Sequence, residues 1–369
     1  MATEQLRVIH LDSEMGWRGG QRQAAGLVKG LLKRGVPCIQ VCRPGSRLGV
    51  FCRENGIPFR EMSIHGEGDF VSGFRLARLA RSGGFSVVHA HSAHSLSTAI
   101  WARMFNRGLK VIGSRRVDFR LRDNPFSRFK YTTGLLDMTV CVSDGVRRVM
   151  ERSGVPPGKL VTIHSGIDIG KFRGIQPLPG FRETYGIPQD GIIAGTVAAL
   201  AGHKDYPNLL SAAAEVLKKR KDVTFVALGG GSREQELREL ASALRLGDSF
   251  RFLGFRKDAL RILGHFDMFV LASRKEGLGT SILDAQALGL PVVGTDTGGI
   301  PEAVLNGVNG LLVPPRDPGR LAAAILALAG DPELRRELGE KARETVGEFS
   351  IENTVNRTLD LYVKVTGPG

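Results

Sequence analysis

Residues 273–302 read SRKEGLGTSILDAQALGLPVVGTDTGGIPE and carry the strongest pattern in the chain. The apolar run from Met268 to Ala272 comes directly before them and predicts a buried parallel strand. A glycine loop follows, then a helical pattern from Thr280, a short strand from Pro291 to Gly294 and a further glycine pair. This order of strand, loop and helix predicts a doubly wound α/β sheet. The free N–H groups at the start of each helix favour a phosphate ligand there.

Two carboxylates flank this predicted phosphate site. Glu276 lies in the loop at the carboxyl end of the strand, where open α/β sheets bind ligands. Asp284 is four residues beyond Thr280 and therefore on the same side of the helix. A carboxylate next to a phosphate is unfavourable unless hydroxyl groups donate to it, and a sugar supplies such groups. Alone, the two acids equally fit solvated surface positions, but the surrounding glycines favour a nucleotide-sugar site.

The segment resembles the signature of the family 4 retaining glycosyltransferases, which have the GT-B architecture. The matching positions are Glu276, Gly277, Asp284, Gly289-Leu290-Pro291-Val292-Val293 and Gly298-Gly299-Ile300-Pro301-Glu302. The resemblance implies an α/β fold of two Rossmann-like doubly wound domains that face each other across a cleft. It also implies transfer of a sugar from a nucleotide donor with the anomeric configuration retained. Asp284 departs from the family, which usually has Glu there.

The resemblance assigns roles to the residues of this loop and helix. It implies that Glu276 contacts hydroxyl groups of the donor sugar and that Asp284 holds the ribose. The donor is then also bound by the residues between them, Gly277, Leu278, Gly279 and Thr280.

Further donor-binding positions follow from the same resemblance. The loop with Gly19 and Gly20 approaches the diphosphate of the donor, and Lys204 neutralises that diphosphate as it leaves. Phe255 borders the nucleobase. Ala199 stands where the family has an arginine, so one expected positive charge is missing.

The chain is long enough for two domains. We expect an acceptor-binding domain over residues 1–172 and a nucleotide-sugar-binding domain over residues 173–349. The glycine- and proline-rich run at residues 174–180 is typical of a linker. The resemblance implies that a last helix, within residues 350–369, returns to the first domain.

Nearly all of the net positive charge belongs to the first half of the chain. Residues 1–170 hold 26 Lys and Arg against 13 Asp and Glu, a net charge of +13 out of the +14 of the whole chain. An excess in one domain favours an anionic partner for that domain. Residues 114–131 interleave basic and aromatic side chains, and the candidate anion-binding residues there are Arg115, Arg116, Arg120 and Arg122.

Such an interleaved segment suits single-stranded nucleic acid or an anionic phospholipid surface. The resemblance favours the lipid surface, because many relatives extend glycolipids or lipopolysaccharide. We therefore expect no nucleic acid, a glycan or glycolipid acceptor, and contact with an anionic membrane. The start of the chain passes directly into a strand and no long apolar run is present, so we expect a cytoplasmic protein at the inner face of the plasma membrane.

Three histidines, His89, His91 and His94, follow one predicted strand. Their spacing places them on no common helix face, so we expect no metal site. The resemblance makes His91 a catalytic candidate on the acceptor side and leaves His89 a structural role. No Asp-x-Asp motif is present, so we expect metal-independent transfer without a cofactor, the nucleotide-sugar being a co-substrate. The four cysteines lack paired spacing and are expected to be buried free thiols, as in a reducing compartment.

The predicted function is thus retaining transfer of a sugar, with UDP the expected carrier, to an anionic or membrane-associated acceptor, as in lipopolysaccharide or glycolipid assembly. The alternatives are a GT-B sugar-nucleotide epimerase and a non-catalytic module that binds anionic membrane or nucleic acid. A Rossmann dehydrogenase is a further alternative, although the first glycine loop is not the GxGxxG of dinucleotide enzymes.

Overall fold

The computed structural model describes residues 6–121 and 125–367, with the side chains of residues 125 and 126 left out. The chain folds into two compact units. The first contains residues 1–168 and 349–369, and the second contains residues 169–348. The first unit is therefore built from two separate pieces of sequence, whereas the second is continuous. The sequence predicted the corresponding boundaries after residues 172 and 349.

The first unit is built on a seven-stranded parallel sheet in the order β3-β2-β1-β4-β5-β6-β7. Its central strands are buried over their whole length, which explains why they read as continuous apolar runs rather than alternating ones. The strands are β1 Val8–Asp12, β2 Cys38–Cys42, β3 Phe59–Glu61, β4 Val87–Ala90, β5 Lys110–Arg115, β6 Met138–Cys141 and β7 Leu160–Thr162.

The second unit has a six-stranded parallel sheet in the order β10-β9-β8-β11-β12-β13. The chain reverses its direction of winding at β8, whose neighbours are β9 and β11. In such sheets the ligand binds beyond the carboxyl ends of the strands at this reversal. The strands are β8 Ile192–Val197, β9 Val223–Leu228, β10 Phe250–Phe252, β11 Met268–Leu271, β12 Val292–Thr295 and β13 Gly310–Val313.

Helices connect the strands. They are α1 Gly19–Lys33, α2 Arg47–Glu54, α3 Phe70–Ser82, α4 Ala93–Phe105, α5 Pro125–Thr132, α6 Asp144–Arg152, α7 Phe181–Thr184, α8 Tyr206–Lys219, α9 Glu234–Ala243, α10 Ala259–Leu263, α11 Thr280–Ala287, α12 Ile300–Ala303, α13 Pro318–Gly330, α14 Pro332–Thr345 and α15 Ile351–Thr366. In the first unit α3, α4, α5 and α6 share one hydrophobic core on one face of the sheet. On the other face α1, α2 and α15 share a second core.

The last helix, α15, belongs to the first unit. The Ile167 N–H donates to the Phe349 carbonyl oxygen (2.9 Å), and the Ile351 N–H donates to the Ile167 carbonyl oxygen (2.8 Å). A Cβ at position 166 would lie 2.4 Å from the Ser350 carbonyl oxygen, so only glycine fits there. These contacts fix the start of α15, whose buried side chains then pack with α1.

The prediction of two Rossmann-like parallel sheets is confirmed. Two details differ at the edges of the first sheet. The sequence pattern predicts a strand over Phe59–Ile64, whereas the strand in the structure ends at Glu61. It is an edge strand that pairs on one side only, so no second neighbour holds its exposed end. Residues 161–172 (VTIHSGIDIGKF) resemble the interdomain element of the family, but their first two residues belong to a strand, Leu160–Thr162, at the opposite edge. Within the described part of the chain, no helix combines the length and the apolar character that crossing a membrane requires.

Candidate functional site

The centre of the second unit brings Lys204 and Glu276 together. Strands β8 and β11 are neighbours, so the loops that leave their carboxyl ends meet. Lys204 ends a short 3₁₀ turn, Gly202–Lys204, after β8, and Glu276 lies in the loop after β11. The Lys204 ammonium donates to Glu276 Oε2, to which the Ser273 hydroxyl also donates (3.1 Å). Only 14% and 13% of the two charged side chains is exposed, so this ion pair is less screened than a surface pair.

The loop after Glu276 leads directly into α11. Gly279 is the N-cap of α11 and has a φ of 82°, in the left-handed region that favours glycine. The Gly299 N–H donates to the Glu276 carbonyl oxygen (3.1 Å), which ties this loop to the one after β12. Leu278 is buried below the loop and Gly277 is also buried, whereas Thr280 is half-buried at the first turn. The N-terminus of α11 thus lies next to the Lys204–Glu276 pair.

Two other predicted donor-binding residues lie around this centre. Asp284 is on the second turn of α11 and is 7% exposed, so it is not a solvated surface acid. Phe255 is 72% exposed on the loop after β10. Because β10 is the edge strand, two strands separate it from β11. Phe255 therefore lies to one side of the loop–helix centre.

Two arginines lie near Gly202, three residues after Ala199, which stands where the family has an arginine. Ala199 is exposed and leaves space for a longer side chain. A Cβ built on Gly202 would lie 3.6 Å from a guanidinium nitrogen of Arg233 and 3.6 Å from one of Arg274. Arg274 is also held by its backbone, since its N–H donates to the His203 carbonyl oxygen (2.9 Å). Arg233 is paired with Glu236, whereas Arg274 forms no ion pair among the described residues. Arg274 is therefore the candidate for the positive charge that Ala199 does not contribute.

The first unit contains a buried cluster of histidines. His10 on β1 is directly opposite His89 on β4, and His91 follows the end of β4. His10 Nδ1 lies 2.9 Å from His91 Nε2, and His91 Nδ1 lies 2.8 Å from an Arg116 guanidinium nitrogen. Arginine has no acceptor, so Arg116 donates and His91 Nδ1 accepts. A neutral His91 must then carry its proton on Nε2 and donate it to His10 Nδ1.

His89 has partners on both ring nitrogens. Its Nδ1 lies 2.6 Å from the Tyr362 hydroxyl of α15, and its Nε2 lies 2.8 Å from the Ser114 hydroxyl of β5. The ligand atoms of His10, His89 and His91 lie within 4.8 Å of one another, a separation that a metal site would also need. Hydrogen bonds already engage every one of their six nitrogens except His10 Nε2, which is buried without a partner. The present arrangement is a hydrogen-bond chain that ends on Arg116.

Burial keeps this cluster neutral. Burial, and then the Arg116 charge, lower the pKa of His10 to about 3. The pKa values of His89 and His91 are also well below the ordinary range, chiefly through burial and then through the neighbouring histidine and Arg116. Burial lowers the pKa of Arg116 itself to about 10, so its guanidinium remains charged at neutral pH. The neutral imidazoles of His10 and His91 therefore form a hydrogen-bonded chain that holds the charged guanidinium of Arg116.

Arg116 lies against the first turn of α1. Its Cδ atom would be 3.6 Å from a Cβ built on Gly20. Asp12, at the end of β1, is buried, accepts a hydrogen bond from the Gln21 amide (3.2 Å) and has a pKa raised by burial. The predicted glycine loop thus lies at the N-terminus of α1, with Gly19 exposed and Gly20 half-buried beside Arg116.

The other predicted basic residues are dispersed. Arg115 is half-buried, and its guanidinium lies 5.9 Å from the centre of the Tyr131 ring. Arg120 is exposed, and Arg122 lies outside the described residues. The structure therefore brings Arg116, but not the whole basic segment, to the glycine loop. All four cysteines are buried free thiols, as expected, and burial raises the pKa of Cys38, Cys52 and Cys141 to about 12.

Three residues of these sites were not found from the sequence. His10 had a signal, because β1 and β4 are neighbours in a doubly wound sheet and each carries a buried histidine. Tyr362 had none, since the helix that supplies it lies 273 positions from His89. Arg274 is adjacent to the Glu276 motif, but only the folded loops show that it approaches Gly202.

Two family models match the chain. The model described as Glycosyltransferase Family 4 covers residues 17–171, and the one described as Glycosyl transferases group 1 covers residues 180–345. Together they include both glycine loops, the histidine cluster apart from His10 and Tyr362, and the Lys204–Glu276 pair.

Individual proteins are similar to this chain over different lengths. A D-inositol 3-phosphate glycosyltransferase of Corynebacterium urealyticum is 29% identical over 92% of this chain and 79% of its own length. D-inositol 3-phosphate glycosyltransferase 2 of Catenulispora acidiphila is 32% identical over 57% of this chain. The chain spans about half the length of this and another curated relative, 51% and 55%. The structure of Anabaena HepE in complex with UDP superimposes with a TM-score of 0.85 at 18% identity, covering 97% of this chain and 100% of that one.

The two parallel sheets and this structural similarity show the GT-B fold. With both family models matched, the chain belongs to glycosyltransferase family 4.

Proposed function

We propose that the protein transfers a sugar from a UDP-sugar to an anionic or membrane-associated acceptor, with retained configuration and without a metal ion. The observation that carries this proposal is the Lys204–Glu276 pair at the start of α11. It combines a carboxylate that accepts from sugar hydroxyl groups with a cation and a helix end that favour phosphate. The complex of HepE with UDP supports uridine as the base.

The chemical requirement is to stabilise charge on the departing diphosphate. Lysine has three donors, so Lys204 can hold Glu276 and a phosphate oxygen at once. The N–H groups at Thr280 and Ser281 start α11 and face the same oxygens. Arg274, which lies close to Gly202 and has no acidic partner among the described residues, supplies the positive charge that Ala199 lacks. Such preorganised donors stabilise charge that develops in the transition state, which is the role a metal ion has in other transferases.

The acceptor proposal is supported by the first unit. Arg116 is held by His91 and lies against Gly20, so one fixed cation is next to the glycine loop. We propose that His91 contributes by positioning Arg116, since both of its nitrogens are already bonded. The names of the inositol phosphate glycosyltransferases also support an acceptor with its own phosphate. Lipopolysaccharide or glycolipid assembly at the inner face of the plasma membrane fits such an acceptor.

The experiment is incubation of the protein with a panel of sugar nucleotides and a cell lipid extract, in buffer with EDTA, followed by mass spectrometry. The expected result is a new glycosylated product that forms from a UDP-sugar, with an anomeric proton signal of the same configuration as the donor by NMR. Donor conversion without an acceptor would indicate the epimerase instead. No response of the melting temperature to any nucleotide would contradict the enzyme assignment, since a ligand at 100 times its Kd adds about 2.7 kcal/mol.

A further inference from the structure

The helices α3 and α4 belong to a long part of the chain without acidic residues. Residues 70–117 contain eight Lys and Arg and no Asp or Glu. The chain elsewhere mixes the two signs, with 37 acidic residues in 369. In the fold, Asp137 pairs with two of the basic residues, Arg103 (3.3 Å) and Lys110 (3.7 Å). Arg75 and Arg78 on α3 are exposed and form no ion pair among the described residues, so their charge faces solvent. The basic residues are Arg75, Arg78, Arg81, Arg103, Arg107, Lys110, Arg115 and Arg116.

The same two helices expose large apolar side chains. Five of the twelve exposed large apolar residues found among the described residues lie here. We call them, with the exposed Arg75 and Arg78, the α3–α4 patch. Its apolar members are Phe70 (57% exposed), Val71 (45%), Phe74 (52%), Met104 (53%) and Phe105 (38%). Contiguous exposed apolar residues mark interaction sites more often than single ones do.

The patch is rigid. The rings of Phe74 on α3 and Phe105 on α4 meet edge to face with their centres 5.5 Å apart. A Cβ at Gly73 would lie 2.3 Å from the Trp101 Cβ, so α3 and α4 cross in direct contact. The Trp101 indole N–H donates to the Glu67 carbonyl oxygen (3.0 Å) and holds the segment before α3. The apolar side chains are therefore presented by a fixed pair of helices rather than by a loop.

We propose that the α3–α4 patch docks on an anionic lipid bilayer, and this rests on the membrane-associated acceptor proposed above. Phenylalanine and methionine side chains on an amphipathic helix insert at the boundary between headgroups and acyl chains. Arginines along the same helix reach the lipid phosphates, because their long side chains extend to the interface. A nucleic acid would use the charge but not Val71 and Met104, since it has no apolar phase for them to enter.

Vesicle sedimentation tests this inference with the full chain. The vesicles contain phosphatidylglycerol and phosphatidylcholine in equal parts, or phosphatidylcholine alone. We expect binding to the mixed vesicles, and a loss of roughly tenfold or more in Phe70→Ser/Phe74→Ser and in Arg75→Glu/Arg78→Glu, as expected when inserted apolar area or several charges are removed. High salt weakens the wild-type binding.

A matched control separates this surface from net charge. The variant Lys33→Glu/Arg34→Glu changes the charge by the same amount but lies at the exposed end of α1, on the opposite face of the sheet. We expect it to bind vesicles within about twofold of wild type, since its charges are far from the bilayer. Equal loss in this control, no binding of wild type to the mixed vesicles, or undiminished binding of the Phe70→Ser/Phe74→Ser variant would each overturn the proposal.

The proposed transferase function is tested separately in the same variants, by measuring their binding of UDP. Melting temperatures show that each variant is folded, and titration with UDP measures the donor site in the second unit. We expect the UDP affinity to be unchanged in all of them, because the patch lies in the other unit. A protein that binds UDP but no vesicles refutes the patch and not the transferase, and one that binds vesicles but no nucleotide does the reverse.

Discussion

At the scale of single residues, the proposed function depends on partly buried charged side chains that have defined partners. Lys204 and Glu276 come from loops 72 positions apart and meet because their strands are neighbours. Replacing Lys204 with alanine removes the counter-charge of Glu276 and the donor that we propose for the departing diphosphate. We expect Lys204→Ala to lower kcat by about 10²–10³, the typical effect of losing one such donor.

Steady-state rates of donor consumption measure this prediction. Lys219→Ala on the exposed end of α8 is the control for loss of one positive charge and should be nearly silent. Turnover of Lys204→Ala within a factor of three of wild type would show that the lysine is not part of the reaction.

Arg274 allows a test by compensation, because an arginine can be introduced at the exposed position 199 to restore the lost charge. If Arg274 supplies the charge that Ala199 lacks, Arg274→Ala should raise the Kd for UDP by roughly tenfold, as for the loss of one charge-assisted hydrogen bond. The second change Ala199→Arg should then restore most of the affinity. Titration with UDP measures both variants. A double variant as weak as Arg274→Ala alone would mean that the two positions do not serve the same phosphate.

His10 predicts a pH dependence of stability. Its folded pKa of about 3 is below the ordinary 6.5, so the unfolded chain binds more protons between these values and stability falls as the pH falls below 6.5. His10→Asn keeps an acceptor for His91 at the Nδ1 position and does not titrate. We expect wild type to lose about 2 kcal/mol more than His10→Asn between pH 6.5 and 5. Urea unfolding at several pH values measures this difference, and parallel profiles would contradict it.

Individual site residues could be proposed from the sequence where they belong to one continuous motif. They could not be proposed where the residues in contact are far apart in the chain. The loop around Glu276 is one continuous segment, so its sequence could be matched to the family motif, and the role proposed for it comes from that resemblance. The histidine chain was not, because it joins β1, β4, β5 and α15. Arg116 was only one of several basic candidates until the structure showed its bond to His91.

At the scale of secondary structure elements, the crossing of α3 and α4 sets the stability of one layer of the first unit. At Gly73 a methyl group would meet both the Trp101 Cβ (2.3 Å) and the Ala102 backbone nitrogen (3.2 Å), and the backbone does not give way easily. We expect Gly73→Ala to destabilise the protein by about 1–3 kcal/mol, the usual cost of overpacking.

The control for Gly73→Ala is Gly319→Ala in α13. A Cβ there has only Asp317 Oδ1 nearby, at 3.6 Å, so the methyl group fits without strain. Because alanine favours helix more than glycine does, the free energy of unfolding should be unchanged or rise by up to about 1 kcal/mol. Denaturation midpoints compare the two. Equal stability of Gly73→Ala and wild type would show that the helices can move apart.

Most elements were predictable because buried parallel strands are continuous apolar runs between glycine loops. The exceptions are at the sheet edges, where β3 is shorter than its pattern suggests and β7 was read as part of a connection. Edge strands depend on one neighbour for their hydrogen bonds, and the sequence does not show how far that neighbour reaches. The packing of α15 with α1 was implied by the family resemblance and not by any periodicity.

At the scale of the whole molecule, the two units differ in continuity. Residues 169–348 form a complete six-stranded sheet with its helices. We expect this segment, expressed alone, to unfold cooperatively and to be stabilised by UDP, because a unit with its own core folds independently. Scanning calorimetry with and without UDP measures both properties. A segment that melts without a transition would show that its core needs the rest of the chain.

The first unit is incomplete without its last helix. Residues 1–168 alone lack Val355 and Tyr362, whose buried side chains pack in the core with α1. The family resemblance gave this return of the chain, and the structure adds that it also supplies the Tyr362 partner of His89.

The return of α15 has a consequence for biosynthesis. After residue 168 emerges from the ribosome, 180 further residues (169–348) are translated before the covering helix begins. At about 5–20 residues per second this takes roughly ten to forty seconds. During this interval the nascent half-protein exposes the groove along α1 that Gly26 and Gly30 line. All residues of the second unit are thus synthesised before the first unit is complete, and the surface of α1 stays uncovered until α15 is made.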